Sequence, residues 1–145
     1  MPDVFLPPTL AFLWTFVSGH PDAALLKMYA DSARVPVAVA WAVATVESGV
    51  VPNNAARGRH GEIGRMQMQP QHAPAFIAEC GTKPLTDYHT NLCKGMFLLR
   101  SHYLRTRDWR AAILRYNGSG PATEVYLLKV EREIGRMWLR LESLK

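Results

Sequence analysis

Residues 36–46 form an unbroken run of Pro, Val, Ala, Trp and Thr that carries no charge. A stretch that is apolar on every side cannot lie at a surface, so it reads as a buried central helix. A buried strand is the competing reading, given Val37, Val39, Val43 and Val46. Four alanines and eleven residues of length favour the helix, and Pro36 suits its first turn.

Much of what surrounds this run shows helical spacing. Leu127, Val130, Ile134, Met137 and Leu141 step by three and four and draw one apolar stripe, with Lys129, Arg132, Glu133, Arg136 and Arg140 off it. Leu92, Met96, Leu99 and Tyr103 draw a second stripe, and Thr86 or Asp87 can cap its start. Asp108 can cap a third helix in which Trp109, Ala112, Ile113 and Tyr116 share a face. That helix should end at the breaker run Asn117-Gly118-Ser119-Gly120-Pro121. Residues 10–17 read as a first helix. The expected fold is therefore all-α, with little or no β structure in the loop 50–64.

A length of 145 residues, 48% of them apolar, suits one compact domain spanning 1–145. The longest apolar stretches, 9–17 and 36–46, fall short of the ~20 residues that cross a bilayer, so no membrane span is expected. No Lys or Arg precedes Lys27, so the N-terminus lacks the positive region of an ordinary secretory signal. A weak or already removed signal is the alternative to a helix of the fold, and the export route stays open.

Seventeen Lys and Arg against twelve Asp and Glu leave a formal charge of +5, which favours polyanionic partners. Arg100, Arg105, Arg107 and Arg110 fall in expected helices, where a solvated face is the plainer reading. Nucleic acid is thus not the expected partner, although a non-catalytic basic helical module that binds a polyanion is the alternative from another class. His20, His60, His72, His89 and His102 show no ligand spacing and read as surface residues. No metal and no cofactor is expected. A monomer is expected.

Cys80 and Cys93 enclose twelve residues, a loop that a disulfide could close for about 3 kcal/mol. Two buried free thiols are the open alternative.

Glu47 follows directly on the apolar run and precedes Ser48, Gly49 and a polar loop that extends through Gly61. Desolvation against a core raises the pKa of a carboxyl, and the partial negative charge of a helix C-terminus raises it further. Both effects keep a proton available near neutral pH, as general acid cleavage of a glycosidic bond requires. The handling of the acid in lysozyme follows the same logic. An exposed glutamate in a fraying last turn is the alternative.

Three runs bear on that choice: Ala44-Thr45-Val46-Glu47-Ser48-Gly49, Ile63-Gly64-Arg65-Met66-Gln67 and Arg115-Tyr116-Asn117-Gly118. In this order they resemble the three motifs of the soluble lytic transglycosylase (SLT) family. Asn91, Gly95 and Leu98 are placed like the family's helix between the second and third motifs, and the resemblance covers roughly residues 22–135. It implies a lysozyme-like fold with a sugar-binding cleft. It further implies Glu47 as the catalytic acid/base, and Gln67 and Tyr116 as residues that bind or orient the glycan. Ser48, Met66 and Asn117 complete the substrate-binding motifs. Two positions depart from the pattern, since Arg65 stands where the family usually has an apolar residue and Gln69 where many members have a second Met.

The implied substrate is peptidoglycan. The implied reaction is non-hydrolytic cleavage of the β-1,4 bond between N-acetylmuramic acid and N-acetylglucosamine, leaving a 1,6-anhydro end. A hydrolytic lysozyme would want a second acid, for which Glu62 is the candidate beside a plain solvated-loop reading. Action on the cell wall follows, in the periplasm or envelope. A phage endolysin or virion-borne cell-wall enzyme fits the short chain, the missing signal and the basic charge. Cys93 before Lys94-Gly95 resembles the secretion-associated branch, so phage virion or secretion machinery are the partners to consider.

Overall fold

A computed structural model describes residues 2–118 and 120–144, and Ser119 of the expected breaker run lies outside them. The central segment is helix α3, Val37–Ser48, and every residue from Val37 to Ala44 is buried. Its surroundings explain why no polar face was needed. It packs between α2, Ala23–Ala33, on one side and the long α7, Ala122–Glu142, on another. Trp41 ties this run to the start of α2, donating from Nε1 to the Ala23 carbonyl at 2.9 Å.

The remaining helices enclose this core. α1, Pro8–Val17, lies against α2 and α7 and buries only Ala11 and Trp14. α5, Tyr88–Thr106, packs on α2 and on α6, Trp109–Asn117. Asp87 caps α5 by accepting from the Thr90 amide at 3.0 Å, and Asp108 caps α6 by accepting from Arg110 and Ala111 at 3.3 Å. The α7 stripe is buried at all five of its expected positions, as are Leu92, Met96 and Leu99 on α5. Tyr103 is half-buried and stacks on Trp109 at 4.3 Å between centroids.

Residues 70–80 show a helix that the spacing did not suggest. A 3-10 segment, Pro70–Phe76, runs into the short α4, Ile77–Cys80. Pro70 and Pro74 break any 3.6-residue pattern there, while a 3-10 turn tolerates them. A disulfide joins Cys80 of α4 to Cys93 of α5, which settles the cysteines as a bonded pair.

No strand occurs among the described residues. The loop 50–64 contributes isolated bridges only, Arg57 with Ile63 and Ile63 with Met68. This folded-back loop matters because it carries the second motif past the end of α3.

Candidate active site

Glu47 sits in the last turn of α3, half-buried, where the helix reaches the molecular surface. Its Oε2 accepts a hydrogen bond from the Tyr126 hydroxyl of α7 at 3.1 Å. Burial raises its pKa to about 8. The Tyr126 hydrogen bond opposes that rise, and the negative Glu62 adds to it. Tyr126 itself is buried with its pKa pushed well above the usual phenol value by desolvation and by Glu47, so it keeps its proton and acts as donor.

The loop after Ile63 brings the second motif alongside. Gly64 has φ +81°, and a Cβ there would fall 2.3 Å from side-chain atoms of Asn54 and Asn91, so only glycine fits. Asn91 of α5 holds this turn from below. Its Oδ1 accepts from the Met66 amide at 2.8 Å while its Nδ2 donates to the Ile63 and Leu85 carbonyls. Gln67 takes a left-handed backbone, φ 49°, a conformation sparsely populated outside glycine and often kept at functional sites. Its Nε2 is tied to the Gly64 and Ala56 carbonyls at 2.9 and 3.2 Å.

From the third motif, the Tyr116 hydroxyl donates to the Met66 carbonyl at 2.6 Å and locks α6 onto the second motif. A cleft of about 290 Å³ results. Glu47, Glu62, Gln67, Tyr116 and Asn117 line it together with Gln69, His72, Leu98, His102, Arg115 and Gly118. The Glu62 carboxylate is steadied by the His60 amide at 3.0 Å.

Ser48 and Met66 are not in this lining. Met66 is fully buried against Gly95, where a Cβ would come within 2.6 Å of the Met66 Cβ, so its side chain is core and only its backbone serves the cleft. Ser48 turns to the other side of the helix end, and its Oγ donates to the Arg65 carbonyl at 2.7 Å. The histidines correct a second expectation. His60 and His89 are exposed, but His20, His72 and His102 are half-buried, and two of these face the cleft. Burial pushes His102 down to about 4, with Arg115, Arg105 and His72 adding to the effect, so a neutral imidazole lines the cleft.

Tyr126, His72 and His102 were not among the expected site residues. Tyr126 stands just ahead of Leu127, where the apolar stripe read from the spacing begins, and carries no motif of its own. Among the described residues no group of three His, Cys, Asp or Glu could hold a metal ion. Among the described residues no helix is long and apolar enough to cross a membrane.

An all-helical fold with a half-buried carboxyl at the end of its central helix, facing a cleft of polar side chains, defines a lysozyme-like glycan-cleaving protein. The chain belongs to the transglycosylase SLT domain family, whose model matches residues 24–133. It is therefore a peptidoglycan-cleaving enzyme whose site of action is the cell wall, outside the cytoplasm. No curated protein and no solved structure matches the chain.

Proposed function

We propose that the enzyme is a lytic transglycosylase with Glu47 as its single acid/base. Protonated Glu47 donates to the leaving oxygen of the β-1,4 bond between N-acetylmuramic acid and N-acetylglucosamine. The N-acetyl group of the muramic acid stabilises the sugar cation, a recognised departure from the two-carboxylate scheme. The resulting Glu47 carboxylate then takes the proton of the C6 hydroxyl as that oxygen closes on C1, giving a 1,6-anhydro end and restoring the acid. No water is consumed.

One observation carries this reading: the Glu47 carboxyl ends the buried helix α3 inside the cleft, where burial raises its pKa to about 8. Gln67, Tyr116 and Asn117 line the space beside it and supply the polar surface a glycan needs. Hydrolysis is the second reading, favoured by Glu62, which lines the same cleft and lies close enough to raise the Glu47 pKa. In that scheme Glu62 would activate or steer water.

Digestion of purified peptidoglycan in heavy-oxygen water separates the two. The expected muropeptides are one water lighter than reducing ends and carry no heavy oxygen at C1. Labelled reducing ends would assign the enzyme to the hydrolases instead.

A further inference from the structure

Arg65 is fully buried, and its guanidinium is saturated with acceptors. Nε and Nη2 grip Asp22 through both carboxylate oxygens, at 2.9 and 3.1 Å. Nη1 donates to the Ala44 carbonyl at 3.3 Å, to Ser48 Oγ at 3.0 Å and to the Gly49 carbonyl, and Nη2 also reaches the Val50 carbonyl at 3.4 Å. These acceptors bracket Glu47 in sequence, three residues before it and one to three after it. The last carbonyls of a helix and the turn beyond it lack intrahelical donors. Here one planar fork supplies donors to the Gly49 and Val50 carbonyls of that turn while also reaching the Ala44 carbonyl in the last helical turns, a geometry that a point-charge lysine cannot reproduce.

The cation is balanced where it lies. Asp22 is buried just ahead of α2, and its side chain makes no capping bond to that helix. It is committed instead to Arg65 and to the Tyr88 hydroxyl at the start of α5. The end of α3 is thus plugged by a neutral pair anchored to α2 and α5. The Arg65 backbone is held as well, its amide donating to Asn54 Oδ1 at 2.9 Å and its carbonyl accepting at 2.7 Å from the same Ser48 Oγ that the guanidinium reaches. Gln67 follows two residues later on the same turn.

We propose that Arg65, held by Asp22, is the positioning residue that fixes Glu47 against Gln67 across the cleft. The inference rests on the reading of Glu47 as the acid. Arg65 touches no reacting atom. It sets the backbone on both sides of the acid and, through its own main chain, the turn that presents Gln67.

Removing Arg65 alone would strand the buried Asp22 charge and endanger folding. The informative variant is therefore Arg65→Met combined with Asp22→Asn, which keeps the volume and leaves the Tyr88 hydroxyl an acceptor. Arg65→Lys is its companion, because it keeps the charge opposite Asp22 but loses the fork. Turnover on soluble glycan strands is measured for both, with circular dichroism to confirm helix content.

Misplacement of a catalytic group by about 1 Å costs roughly 100-fold, so kcat should fall about 10- to 100-fold in the double variant with KM within about twofold. Arg65→Lys should fall between it and wild type. A folded double variant or a folded Arg65→Lys with wild-type kcat overturns the proposal, as does a loss confined to KM. Should the double variant fail to fold, the Arg65→Lys split between kcat and KM decides alone. Failure of the underlying reading looks different, since Glu47→Gln would then cleave as fast as wild type.

Discussion

A carboxyl that ionises near pH 8 instead of its ordinary 4.5 owes the difference chiefly to desolvation, and the Tyr126 hydrogen bond tempers it. The first chemical step needs the protonated form, so cleavage should decline as pH rises through about 8. Tyr126→Phe removes the one interaction that favours the anion, which raises the Glu47 pKa. The alkaline limb of log kcat/KM against pH should therefore move to higher pH in that variant, and an unmoved limb would contradict the assignment. The same shift has a stability consequence. Glu47 binds its proton more tightly folded than unfolded, so between about 4.5 and 8 the folded state holds more protons and loses stability as pH rises. Glu47→Gln carries no such charge. Its melting temperature should match the wild type near pH 4 and exceed it at pH 8, and a difference of equal size at both values would mean that Glu47 ionises normally.

At the level of elements, α3 supplies Glu47, the acid of the proposed reaction, α6 and the loop after Ile63 supply the facing wall, and α5 is the shelf on which that loop rests through Asn91 and Gly95. The disulfide fastens α4 to α5 behind the cleft wall. Cys93→Ser should cost about 3 kcal/mol, read as a lowered melting temperature, while the enzyme stays active below that temperature. A wild-type melting curve would show that packing alone holds α4. Most of these helices were legible because their apolar residues recur at helical spacing and Asp87 and Asp108 mark their starts. Residues 70–80 were not, since two prolines erase the periodicity that a 3-10 segment does not need. Within the site, Glu47 and Gln67 could be read from motif position. The inward turn of Ser48 and Met66 could not, because it depends on contacts with Arg65 and Gly95, distant in sequence from one or the other. Tyr126 was hidden for the same reason, reaching Glu47 only because α7 crosses the end of α3.

For the molecule as a whole, a net charge of +5 and a pI near 9.5 suit a protein that works on an anionic cell wall, and they bear on encounter more than on chemistry. A polyanion-binding module with no catalytic role would hold to such a surface through its arginines and ignore Glu47. In a lytic transglycosylase, by contrast, function centres on that one carboxyl. The most direct test is to digest purified peptidoglycan with wild type and with Glu47→Gln and to weigh the released muropeptides by mass spectrometry. The prediction is a series of anhydro-ended products from wild type and a loss of about 100-fold or more in their rate of release from the variant, with its fold unchanged. Release of the same products at the wild-type rate by Glu47→Gln would contradict it.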